Sequence, residues 1–156
     1  MRLLLSIFSI LLVTTATYTQ AQTTSKKQEF KIVTVIESII PMGLGRSRII
    51  DSDTPMDASQ YTTQRTDSIK SSQQNIKRRD IKIGELEETK LLNLFSATGI
   101  NLQNIASNDA MISSKINSMI SEGWNLTFVT SAVESDAGKD DGQGIFVTRL
   151  FFSRSL

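Results

Sequence analysis

The chain contains no cysteine and no histidine, and these two absences remove more chemistry than the residues present supply. Without Cys there is no disulfide, so stability rests on the core alone. Thiol and imidazole nucleophiles, Cys/His zinc sites and haem ligation by His or Cys are all excluded. No cofactor is expected, and any reaction would fall to carboxylates, Lys, Arg, Ser, Thr or Tyr. The apolar run is also short. Leu3 to Val13 covers about half of the ~20 residues that a membrane-spanning helix needs. Arg2 precedes it, and a small-residue segment ending Thr19-Gln20-Ala21 follows it, which is the layout of a secretory signal peptide. Ala16 offers a poorer cleavage site than Ala21, and no Cys follows the run to carry a lipid anchor. The chain is therefore expected to be exported, periplasmic or secreted, with no stable membrane insertion after cleavage.

Charge is the next shortfall. Removal of residues 1–21 takes one of the 17 basic residues and none of the 16 acidic ones, leaving 16 of each and a net charge of zero. A general nucleic-acid or membrane-surface binder needs a basic excess for its phosphate contacts, so no nucleic-acid partner is expected. The 135 residues that remain of the 156 suit one core.

What is present divides into segments. Residues 22–28 form a flexible polar leader, and a single domain over 29–156 follows. Phe30, Ile32 and Ile36 alternate with Lys31, Val33, Val35 and Glu37 in a strand apolar on both faces, the mark of a central strand. Pro41, Gly43 and Gly45 break it, and residues 46–50 return as a short second strand. From about 51 to 89 the chain is rich in Ser, Thr, Gln, Asp and Lys. So little apolar surface does not offset the entropy of fixing the chain, and this insertion reads as an extended, partly ordered excursion. Ile76, Ile81 and Ile83 are placed in an edge strand, and the Lys77-Arg78-Arg79 triplet reads as solvated. Leu91, Leu92, Leu94 and Phe95 mark the return to the core, as helix or strand.

The spacing of Ile112, Ile116, Met119 and Ile120 predicts a helix over 108–122, capped by Ser107, with Asp109 favouring its first turn. Gly123 supplies the left-handed residue that ends it, and Trp124, the sole Trp, folds back onto Met119 as a core anchor. Leu126, Phe128, Thr130 and Ala132 then alternate with Thr127, Val129, Ser131 and Val133 in a strand. A long polar loop over 134–144 joins it to a last strand over 145–152. The expected class is α+β: a small mixed sheet of four or five strands packed on one main helix. Asn125-Leu126-Thr127 also fits a glycosylation sequon and is read as chance.

The order Phe30-Lys31-Ile32-Val33, then a helix ending Glu122-Gly123-Trp124-Asn125-Leu126, then Arg149-Leu150-Phe151-Phe152-Ser153-Arg154, resembles a short bacterial domain of unknown function whose members read "YKVV, helix, EGWEL, strand, FKR". Asn125 replaces the usual Glu, and the long stretch between Pro41 and Ser107 is additional. The phrases Gly43-Leu44-Gly45-Arg46-Ser47-Arg48, Gly99-Ile100-Asn101 and the acidic loop after Glu134 are similar to uncharacterised small exported proteins of Bacteroidetes-type bacteria. The resemblance implies a fold and a compartment, and no activity.

Placing the first strand and the post-helix strand as parallel neighbours would bring three polar segments to one pole: residues 43–48, 106–109 and 134–144. Gly43, Gly45, Arg46 and Arg48 form an anion-binding candidate, through backbone N–H groups and guanidinium forks. Glu134, Asp136, Asp140 and Asp141 offer oxygen ligands for calcium, without EF-hand spacing, or acids that latch onto the arginines. The function expected is a non-catalytic exported domain that binds an unidentified ligand or protein partner at this pole. The alternative is a hydrolase or lyase with Glu134 or Asp136 as general base and Arg46 or Arg48 stabilising developing charge.

Overall fold

Residues 27–40, 46–134 and 144–156 are described in the computed structural model of the chain. The β-branched run after Lys27 forms β1 (Gln28–Ser38), which becomes the middle of a five-stranded sheet of order β3-β2-β1-β7-β6. The other strands of this sheet are β2 (Arg48–Asp51), β3 (Glu87–Lys90), β6 (Asn125–Val133) and β7 (Ile145–Ser155). Every pairing is antiparallel, so the sheet is not mixed. A small second sheet pairs β4 (Phe95–Ser96) with β5 (Gly99–Ile100). The fold is α+β, with one main helix, α2 (Leu102–Ser121).

The first and post-helix strands are not neighbours. β7 lies between β1 and β6, antiparallel to both. β6 and β7 close as an antiparallel hairpin, and β7 fills the position that a parallel β1–β6 pair would have needed. β1 and β6 still run in the same direction. Ser38 pairs with Ile145 and Val133 with Phe146, so both strands end at the same edge as expected.

α2 begins six residues before the expected start. Asn101, not Ser107, caps it, accepting the Asn104 N–H at 3.1 Å. Ile105 extends the apolar face by a further two turns ahead of Ile112, and the polar residues 106–109 that read as a cap lie inside the helix. Its end is as expected. Gly123 sits at φ +87°, and the Gly123 and Trp124 N–H groups donate to the Ile120 and Met119 carbonyls, each at 3.0 Å. This is the Schellman pattern, which satisfies carbonyls the helix leaves orphaned.

The core lies between α2 and one face of the sheet. Val33, Val35, Ile49, Leu150 and Phe152 from the strands meet Met119 and Trp124, with Ile112 and Ile116 against them. Ile120, expected on that face, is 52% exposed. Trp124 is 5% exposed, and the Arg154 guanidinium stacks on its ring, 4.2 Å from the centroid. The opposite face of the sheet, carrying Phe30, Ile32 and Phe128, is exposed.

The polar excursion leaves from β2 and returns at β3, which pair directly. Its only regular elements are two short 3-10 turns and the one-turn helix α1 (Arg78–Ile81), none with a buried residue. Ile81 thus lies in a helix. The edge strand is β3, Glu-Glu-Thr-Lys in sequence. With no buried residue between Ser52 and Leu86, the excursion is tied by side-chain bonds, such as Tyr61 Oη donating to the Asp80 carbonyl at 2.8 Å. Leu91 is buried, whereas Leu92 is exposed and outside any strand or helix. Only Phe95 of that run enters a strand.

Candidate functional site

β1, β2 and β7 build the pole from their ends. Arg48 opens β2 opposite Ile36 of β1, and alternation places Arg48, Ile36 and Ile50 on the face away from α2. Glu134 follows β6 and donates its backbone N–H to the Ile145 carbonyl at 3.0 Å, which fixes it beside the start of β7. Arg46, Arg48, Glu134 and Glu88 line one open cavity of about 390 Å³, floored by Ile36, Ile50 and Ile145. Three of the residues expected at the pole therefore meet there, although β7 separates the two strands thought to be neighbours. Gly43, Gly45, Asp136, Asp140 and Asp141 lie outside the described residues.

Arg48 forms an ion pair with Glu88 of β3. Ile50 is the residue paired with Glu88, so Arg48 and Glu88 are diagonal on one face. This contact latches β2 to β3; the acids Asp136, Asp140 and Asp141, expected to latch onto the arginines, lie outside the described residues. Arg46 is exposed and has no ion-pair partner among the described residues. Among those residues no group of three or more Asp or Glu is placed to hold a metal ion. Helix α2 contributes nothing to the cavity lining. Its polar residues reach the same pole from the other side of the sheet.

There a buried polar seam replaces the expected helix N-terminal site. Asn108 is 1% exposed. Its Oδ1 accepts the Leu92 N–H at 2.8 Å, and its Nδ2 donates to the Leu92 carbonyl at 2.8 Å and to Glu37 Oε1 at 3.0 Å. Asn104 Nδ2 donates to the Asn93 carbonyl at 2.8 Å. Ser47 Oγ accepts the Ser38 N–H at 2.9 Å and donates to Asn93 Oδ1 at 3.0 Å. The segment from Leu91 to Leu94 lies in no strand; the Asn108 and Asn104 side chains satisfy the backbone of Leu92 and Asn93, and the Leu91 and Leu94 N–H groups donate to the Ser47 and Ser38 carbonyls, each at 3.0 Å. Nothing in the local sequence separates Asn108 from the solvated Asn and Ser around it.

A second polar cluster lies under the far end of the helix. Asp51 Oδ2 receives Lys115 Nζ at 2.7 Å and Lys31 Nζ at 3.1 Å, and Lys31 also contacts Asp53. Burial by itself would raise the Asp51 pKa, but the hydrogen bonds and charges of Lys115 and Lys31 outweigh it and hold the carboxyl below its ordinary value. For Lys31, burial works toward a lower pKa, and the bonds to Asp53 and Asp51 with their charges overcome it and raise it. Lys31, Asp53, Trp124 and Arg154 line a cavity of about 520 Å³. The alternation that marked β1 as a strand also put Lys31 on the helix side. Its acidic partners come from a segment that read as solvated, so the pairing was not legible.

Among the described residues no helix is long and apolar enough to cross a membrane. No family model, curated protein or solved structure matches the chain.

Proposed function

We propose that the chain is an exported, non-catalytic binding or interaction domain that recognises an anionic group of a ligand or partner at the pole where β1 and β6 end. One observation carries this reading: Arg46 and Arg48 line the same open cavity as Glu134, and Arg46 has no ion-pair partner among the described residues. A guanidinium lining an open cavity floored by Ile36, Ile50 and Ile145 is suited to a carboxylate or phosphate, which it meets through paired N–H donors. Export rests on the signal-peptide layout of the first 21 residues and on the resemblance to small exported proteins. The hydrolase or lyase reading calls for a closed concave pocket in which a general base is shielded from bulk solvent, and the open cavity favours binding over it.

The test is thermal stability of the wild type and of Arg46→Ala/Arg48→Ala, with and without phosphate, short acidic oligomers and calcium. A ligand at 100 times its Kd stabilises by roughly 2.7 kcal/mol. A melting shift with an anion in the wild type, lost in the double variant, is the expected result. An anion-independent melting point in the wild type overturns the proposal.

A further inference from the structure

We propose that β6 is the interface of a homodimer, in which two copies pair their β6 edges antiparallel and continue the sheet across a two-fold axis. The two edges of the sheet are built differently. β3 is four residues long and reads Glu-Glu-Thr-Lys, a short charged edge of the kind that discourages pairing. β6 is nine residues long, Asn-Leu-Thr-Phe-Val-Thr-Ser-Ala-Val, with no charge, proline or glycine. Among the described residues no strand lies beyond its outer backbone groups.

Both faces of β6 are apolar and open. Leu126 and Val129 pair with the core residues Phe152 and Leu150 and so point to the helix side, yet Val129 is 46% exposed. On the other side Phe128 is 61% exposed and packs its ring on Phe151 at 5.7 Å between centroids. A strand apolar on both faces belongs inside a sheet. In this chain such a strand stands at the edge.

The occupant that fits is a second copy. The bulge between Leu126 and Phe128 leaves a regular alternation from Phe128 to Val133, and residues directly opposite in an antiparallel pair share a face. A two-fold axis at Thr130 sets Phe128 opposite the partner copy's alanine at position 132, large against small, twice over. Val129 then faces serine 131 of the other copy, and threonine 130 faces itself. No like charges meet anywhere along the strand, because it has none. The register uses none of the residues that line the pole cavity, so this interface does not depend on the anion reading.

The test is the molar mass of the purified full-length chain by sedimentation equilibrium, with two variants. Thr130→Cys places the chain's only thiol on the two-fold axis, where paired Cα atoms about 4.5–5.5 Å apart are within disulfide range. Oxidation is expected to give a covalent dimer. Thr130→Glu gains Arg149, its cross-strand neighbour, within one copy but opposes a like charge in the dimer. The dimer Kd is expected to rise about fivefold or more, with the fold retained by circular dichroism. A monomeric wild type, a dimer indifferent to Thr130→Glu, or a thiol that does not cross-link each overturns the proposal. If the monomer's β6 amides are nonetheless protected from exchange, a segment of the same chain covers the edge instead.

Discussion

Replacing Asn108 by Ala removes three hydrogen bonds at once, two to the Leu92 backbone and one to Glu37. Each contributes about 1 kcal/mol net, and a buried group left without a partner costs about 1–3 kcal/mol. Leu92 is partly exposed, so water can reach its freed N–H and carbonyl, which holds the penalty at the low end. Ala also gains several tenths of a kcal/mol of helix propensity over Asn. The expected loss is about 3 kcal/mol, a large share of the 5–15 kcal/mol that holds a domain of this size. Asn108→Asp gives a sharper contrast. Its carboxylate still accepts the Leu92 N–H, but it faces the Leu92 carbonyl and the Glu37 carboxylate where an N–H group had donated. At neutral pH it should cost more than Ala, and below the carboxylate range it should recover. Urea unfolding followed by Trp124 fluorescence measures both, at unchanged m-value. A loss under about 1 kcal/mol for Ala, or an Asp variant no worse than Ala, would refute the assignment of Asn108 as the brace between α2 and the 91–94 segment.

Trp124→Ala empties a core site and removes the platform under Arg154; a loss of about 3–5 kcal/mol is expected in chemical denaturation monitored by circular dichroism. Gly123→Val should destabilise by about 1 kcal/mol or more. A Cβ there meets nothing within 4 Å, so the whole cost is the positive φ, and a normal melting temperature would contradict it. The Asp51 carboxyl, held below its unfolded value by Lys115 and Lys31, contributes stability that is present above about pH 4 and is lost as pH falls through the folded-state pKa. Lys31→Met removes one of the two cations, so the acid limb of the stability–pH curve should move to higher pH; an unmoved limb would mean that Lys115 alone sets it. Lys31 itself is raised, so its contribution holds below about pH 10.4 and fades only at higher pH.

Local signals in the sequence determined whatever depends on near neighbours. The β-branched alternation of Phe30 to Ile36 was enough to place a central strand. Ile112, Ile116 and Met119 at helical spacing, then Gly123 and Trp124, specified the second half of α2 and its Schellman end, because every bond in that motif joins residues within five positions. The start of α2 was not legible in the same way. Asn101 and Ser107 are both good caps, and only the bonds of Asn104 and Asn108 to the 91–94 segment and Glu37 decide between them.

Tertiary structure decided strand order. A strand, helix, strand succession is compatible with a parallel neighbour pair, but the β6–β7 hairpin competes for the same place. Its short-range closure and full antiparallel ladder put β7 between β6 and β1. The pole survived that change because β1 and β6 kept their common direction, which is why Arg46, Arg48 and Glu134 still line one cavity. The partners of Asp51, Asn108 and Arg48 come from 16 or more residues away in the chain. Hydrogen bonds and ion pairs depend on distance in space and carry no periodicity, so only the folded chain could assign them.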